Sequence, residues 1–310
     1  LLSPLQSTRI NMSTTKAYTP KLWEEVDCLF CQSSEADLYE KFGSTYQYAY
    51  VKCCNCGLIY TKPRPAYNQE FIDAAYASYY QFAENITLKD LDNIKESSLQ
   101  LFEKEIVNLL KYDKEKNAVL DIGSGMGTFL LAAKKYYPVA EGMDVSLKMA
   151  AFVEKNIGVK VHIGQFENFH PTQKYSLIHM SHVIEHIPNP TEWVQHAKKL
   201  LTEQGVLVIN VPNKYSFSMR SKHFFYKLGL KKQFSSSWKD PARTPDHLFE
   251  PTIRSMSFFL DKNEFDILEY YTYSRKDATS NKNWLNRFLY RKLKIGTNLA
   301  FITRPRKQHI

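Results

Sequence analysis

The sequence has no apolar run of the roughly 20 residues that a bilayer-spanning helix needs. It has no cysteine beyond Cys56, although five stand before residue 57. Disulfide staples are therefore excluded from most of the chain. No Gly-Lys-Ser/Thr triplet occurs, which excludes a phosphate-cradling P-loop. Acid is scarce in two places. Residues 213–245 hold eight Lys/Arg against one Asp, and residues 281–310 hold eight with no acid. Because the net charge is only +9, the remainder is net acidic and the basic character is local. Such segments suit an anionic partner (a phosphorylated metabolite, a nucleic acid or a membrane surface) or form a solvated face. Residues 1–20 carry no apolar signal-like stretch and read as a disordered tail, so a cytoplasmic location is expected.

What is present begins at residues 119–128, Val-Leu-Asp-Ile-Gly-Ser-Gly-Met-Gly-Thr. A short apolar strand runs into three glycines at alternate positions, Gly123, Gly125 and Gly127. Such a turn brings bare backbone close to a ligand, because no Cβ intervenes. A second strand, Val139 to Asp144, ends in an acid placed to bond both ribose hydroxyls of a nucleoside-like cofactor. A dinucleotide fingerprint would need its third glycine at 128, where this chain has Thr128.

The elements alternate. Strands are expected at 117–122, 139–144, 159–163, 175–180 and 205–211, with helices at 127–136, 147–157 and 191–202. A helix over 94–112 precedes them, and helix 251–262, strand 265–273, helix 282–294 and strand 297–303 follow. Alternation of this kind makes an α/β protein with a parallel sheet covered on both faces. Its ligands lie at the carboxyl ends of the strands.

Near the N-terminus, Cys28-Leu-Phe-Cys31 is followed, 21 residues on, by Cys53-Cys-Asn-Cys56-Gly57. Two Cys-x-x-Cys pairs at this separation supply four thiolates to one structural zinc, with Cys28, Cys31, Cys53 and Cys56 as ligands. Cys54 is surplus: a free thiol, or a ligand in place of Cys53. Two disulfides or a redox pair are the alternatives.

The segment Asp121–Gly127 with Asp144 resembles the glycine loop and ribose acid of class I S-adenosylmethionine (SAM) methyltransferases. Ser181-His-Val-Ile-Glu-His-Ile-Pro188 and the strand Val206–Val211 before Pro212 fit the same family. The resemblance implies a Rossmann-like, doubly wound seven-stranded sheet, closed by an antiparallel pair. It implies a SAM cradle of Asp121, Gly123, Ser124, Gly125, Gly127, Asp144, Val145, Gln165, Phe166 and Ser181, with Phe166 in the turn that usually contacts adenine. Residues 50–65 resemble the zinc knuckle that precedes the SAM domain in a set of bacterial methyltransferases, some acting on nucleotide-linked sugars or surface polysaccharide. The expected organisation is a tail at 1–20, a zinc module at 21–66 and an aromatic, helical linker at 67–115. A SAM-binding core at 116–212, a basic aromatic lid at 213–250 and the rest of the sheet at 251–310 follow.

Methyl transfer from a sulfonium needs alignment, water exclusion and often a base. His182 is the first base candidate and His247 the second. His186 reads as a third candidate or as a buried, satisfied histidine. Related ubiquinone-pathway enzymes have Glu-x-x-Glu-His here and can hold magnesium, whereas this chain places His182 first. The lid at 213–250 is read either as covering a sugar or ring, its lysines meeting phosphates, or as a packing surface for the zinc module. The expected acceptor is a small or carrier-linked anionic metabolite, such as a nucleotide sugar or polysaccharide precursor. RNA is the second reading, although no Asn/Asp-Pro-Pro-Tyr/Phe or Pro-Cys motif of base methylation occurs. A non-catalytic SAM-fold binding protein is the third.

Overall fold

The computed structural model describes residues 19–42, 47–230, 246–274 and 292–307. The N-terminal part holds strands β1 (Trp23–Glu24), β2 (Ala36–Phe42), β3 (Tyr48–Cys53), β4 (Ile59–Thr61) and β5 (Arg64–Pro65). Helices α1 (Gln69–Glu84) and α2 (Leu88–Leu109) follow. Then come β6 (Ala118–Ile122), α3 (Thr128–Ala133), β7 (Val139–Asp144), α4 (Leu147–Ile157), β8 (Lys160–Ile163) and β9 (Tyr175–Ser181). The chain continues through α5 (Pro190–Leu200), β10 (Leu201–Pro212), α6 (Phe217–Lys227), β11 (Phe249–Glu250), α7 (Ile253–Lys262), β12 (Phe265–Tyr273) and β13 (Asn298–Pro305).

Seven strands form one sheet in the order β12-β13-β10-β9-β6-β7-β8. The pairs from β10 to β8 are parallel, while β13 runs antiparallel to both β10 and β12. This is the expected doubly wound sheet with its closing antiparallel pair. Strand order reverses between β6 and β9, and such a switch point opens a crevice at the carboxyl ends of the strands. The glycine bend lies there.

Local chemistry explains the boundaries. Ser146 caps α4 by accepting from the Met149 amide, and Gly158 ends it in the left-handed region. Thr87 with Asp90, and Thr252 with Ser255, make reciprocal capping boxes at the starts of α2 and α7. Pro190 opens α5 at a position whose amide needs no partner.

In the aromatic, helical stretch after Tyr67, Asn68 accepts from the Phe71 amide and starts the 16-residue helix α1 ahead of the helix expected at 94–112. The strand expected at 205–211 begins earlier, at Leu201, and Gly205 sits inside it at a register shift between Leu201 and Val206. Of the two readings of 213–250, the end of the segment fits packing against the cysteine module: β11 pairs with β4 (Phe249 with Tyr60). Residues 231–245, and most of the helix expected at 282–294, lie outside the described residues.

The cysteine module and the large sheet share one core. The Phe30 ring stacks on Phe259 of α7 at 4.2 Å and meets Phe249 edge-on at 5.1 Å. Nζ of Lys262 and Nη2 of Arg254, both on α7, donate to the carbonyls of Phe30 and Asn55.

Candidate functional site

The glycines at the bend do different work. A Cβ on Gly127 would meet Val153 and Ile157 of α4 at 2.8 Å, so this glycine lets the bend pack on a helix. A Cβ on Gly123 would lie 2.5 Å from Val183. Gly125 has φ +50° and no atom of the described residues within 4 Å of a Cβ, so its outer face is open among them. Gly164, after β8, is equally open.

Asp144 ends β7 beside that bend and is almost fully buried. Its Oδ2 accepts from the Gly125 amide at 3.0 Å. Its Oδ1 accepts from the Ser146 amide at 2.9 Å and from the Tyr79 hydroxyl at 2.8 Å. Burial raises its pKa against these three donors. A carboxylate has about four lone-pair positions, and the one that Tyr79 holds is a position that a ligand hydroxyl can take. Val145, exposed next to Asp144, and Ile163, exposed and paired in register with Asp144, offer apolar surface for a flat ring. The Ser181 and Ser124 Oγ atoms are buried with no hydrogen-bond partner among the described residues. Open backbone, a ribose-competent acid, flanking apolar side chains and orphaned hydroxyls fit a nucleoside sulfonium.

Two expected cradle residues are placed elsewhere. The Phe166 ring is buried in the core against Trp193 and His196, at 5.1 and 4.7 Å, so it cannot lie on an adenine. Its neighbour Gln165 stands at the turn after Gly164. Asp121 is spent on the core: its Oδ1 lies 2.7 Å from Nδ1 of His179. Asn210 Nδ2 donates to Glu105 Oε1 at 2.7 Å and stands 3.2 Å from His179 Nε2, while Phe129 stacks on the imidazole at 3.9 Å. Burial alone would lower the His179 pKa, but Asp121 and Glu105 outweigh it and hold it at about 9.

Beyond β9 lies the histidine cluster. His182 has φ +59°, a left-handed conformation that costs roughly 1–2 kcal/mol for a non-glycine residue. Its amide donates to Asn210 O, and its Nδ1 stands 3.3 Å from Oε1 of the fully buried Glu185. His186 Nδ1 donates to the Asp246 carbonyl at 2.7 Å, and its ring meets His247 edge-on at 4.8 Å. His247 Nδ1 is 3.3 Å from Glu250 Oε1. Burial opposes charge on His247, yet Glu250, Asp246 and Glu185 raise its pKa to about 9. Burial and charged His247 lower that of His186. The Leu248 amide donates to Glu185 O, tying the segment carrying His247 to the end of β9. The sequence reading missed Tyr76 and Tyr79, which α1 carries over this side of the sheet. Tyr76 lies 5.9 Å from the His186 ring. The Asn68 cap and the spacing Ile72, Tyr76, Tyr79, Ala83 were the available signals.

A family model described as a methyltransferase domain matches residues 95–270, more than half of the chain. The chain belongs to this family. An uncharacterised protein of Methanocaldococcus jannaschii is 28% identical over 135 residues, 41% of this chain. The chain spans 63% of the length of that relative. Among solved structures, magnesium protoporphyrin IX methyltransferase from Synechocystis PCC 6803, with bound SAH, is 12% identical with a TM-score of 0.50. The alignment covers 77% of this chain and 100% of that one. A SAM-dependent methyltransferase from Clostridium acetobutylicum is 12% identical, TM-score 0.49, over 71% of this chain and 99% of that one. The methyltransferase sheet here is thus of the class I SAM-dependent kind. A surface hollow of about 430 Å³ is lined by Glu141, Lys160, His162 and Gln173, with no residue of the glycine bend in its wall.

The four cysteines expected to bind metal converge. Cys28 and Cys56 Sγ are 3.4 Å apart, as are Cys31 and Cys53 Sγ, and all four lie within 4.8 Å of one another with no disulfide. Four sulfurs at about 2.3 Å from a tetrahedral zinc stand about 3.8 Å apart, so the set fits that ion. Cys54 points outward and is exposed.

Proposed function

We propose that the protein transfers a methyl group from SAM to a small or carrier-linked anionic metabolite, a nucleotide sugar or polysaccharide precursor being the leading class. The carrying observation is the open Gly125 face beside buried Asp144, whose Oδ2 the Gly125 amide orients. The basic, aromatic segment at 213–250 and the zinc-knuckle resemblance support the acceptor class.

SAM supplies a sulfonium-activated methyl carbon. Asp144 holds the ribose, Val145 and Ile163 flank the adenine, and Gly125 lets the aminoacyl end lie against bare backbone. His182, at the end of β9 and backed by Glu185, takes the acceptor proton. Bound SAM would supply the methyl carbon to the acceptor lone pair, with the S–C electron pair left on sulfur as a neutral thioether. The zinc held by Cys28, Cys31, Cys53 and Cys56 is structural, because four thiolates leave no open position.

Calorimetry with SAH and transfer of label from methyl-labelled SAM to candidate acceptors test the reading. Asp144→Ala should abolish measurable SAH binding with the fold intact, and His182→Ala should keep SAH binding but lose turnover. Unchanged SAH affinity in Asp144→Ala would refute the cradle. Full turnover in His182→Ala would refute the base.

A further inference from the structure

We propose that Glu185, His186 and His247 form a metal site of their own, for a divalent ion of zinc's class, beside the acceptor position. One ligand atom from each lies within 4.8 Å of the others. Glu185 is completely buried, and neither of its carboxylate oxygens has a hydrogen-bond partner among the described residues. A buried carboxylate without partners costs several kcal/mol unless a cation meets it. His182 Nδ1, 3.3 Å from Oε1, is the ion-pair neighbour, which leaves Oε2 unmet.

The two imidazoles are prepared as ligands. His186 directs Nδ1 to the Asp246 carbonyl, and His247 directs Nδ1 toward the Glu250 carboxylate. Spending Nδ1 on a carbonyl or carboxylate leaves Nε2 of each ring to face an ion, which would displace the His247 Nε2 proton on binding, the usual arrangement behind a metal-bound histidine. The rings meet nearly perpendicular, at 80°. Because Leu248 N bonds Glu185 O and β11 is paired to β4, both halves of the site are fixed by backbone.

Two imidazoles and one carboxylate suit zinc or a neighbouring transition ion, whereas magnesium prefers oxygen ligands throughout. Three protein ligands leave a fourth position open, as in catalytic zinc sites. An acceptor hydroxyl bound there gives up its proton more readily. This role rests on the methyl-transfer reading; the binding of the ion does not.

The test counts metal. Full-length wild type, Glu185→Gln and His247→Ala are equilibrated with excess zinc sulfate, desalted and analysed for zinc per chain, with SAH affinity measured alongside as a check of the fold. Wild type should hold one zinc more than either variant. A cobalt-loaded sample should lose an absorption component free of sulfur-to-metal charge transfer on the same substitutions. Equal zinc counts in wild type and both variants would overturn the site. Failure of zinc-loaded wild type to bind SAH would instead overturn the methyl-transfer reading, while the zinc difference still decides the metal site.

Discussion

Alanine at Gly125 and at Gly127 should damage this protein in different ways. Both glycines have positive φ, +50° and +69°, so alanine at either pays the left-handed cost of roughly 1–2 kcal/mol. At Gly125 that is nearly the whole effect on folding, because no atom of the described residues lies within 4 Å of the new Cβ. At Gly127 the methyl also meets Val153 and Ile157 at 2.8 Å, on the buried side of α4. Overpacking adds about 1–3 kcal/mol, for a total of about 2–5 kcal/mol. That is a large part of a typical domain's stability of about 5–15 kcal/mol. Cofactor binding should rank the other way. The Gly125 methyl projects into the open face of the bend, and a similar 1–3 kcal/mol clash there means about 5- to 150-fold weaker SAH binding. Urea denaturation and calorimetry on both variants separate the effects. If a folded Gly125→Ala protein binds SAH as tightly as wild type, the open face is not where the cofactor lies. If Gly127→Ala is no less stable than Gly125→Ala, the packing assignment fails.

Tyr79→Phe keeps the ring but frees one lone pair of Asp144 for a ribose hydroxyl. SAH affinity should rise several-fold, the equivalent of one net hydrogen bond of about 1 kcal/mol, and a clear fall would show that Tyr79 donates to the cofactor instead. Cys31→Ser should release the ion of the four-cysteine site. Because Phe30 packs on α7, Tm should drop by on the order of 10 °C, for a loss of about 4 kcal/mol, in calorimetric scans, whereas exposed Cys54→Ser should change neither Tm nor zinc content. Burial raises the Glu40 carboxyl to about 7, with Lys214 opposing the rise and Glu250 adding to it. The folded state then binds this proton more tightly than the unfolded chain. The associated stability is complete below the ordinary value of 4.5 and is lost as pH rises through 7, roughly 3 kcal/mol in all. Denaturation of wild type and Glu40→Gln from pH 4 to 8 should show that slope in the wild type alone; equal slopes would refute the raised value.

Much of the architecture is local and could be read from the chain. Alternating apolar runs, the bend at Gly123–Gly127, the acid at Asp144 and two Cys-x-x-Cys pairs depend on neighbours in sequence and on backbone periodicity. A strand or a knuckle forms wherever its own residues allow it. Which groups face one another was decided only by tertiary closure. Cys53 rather than Cys54 turns inward because it ends β3, paired with Ala36 of β2, while Cys54 lies in the turn beyond the strand and is exposed. Tyr79 reaches Asp144 across 65 positions because α1 folds back over β7. His247 meets Glu185 and His186 only because β11 is captured by the cysteine module. Phe166, beside a cradle in sequence, is drawn into the core because burying an aromatic ring against Trp193 is worth more than exposing it. Covalent spacing therefore set the repertoire of elements, and long-range burial chose the partners of the charged and aromatic side chains that make the site.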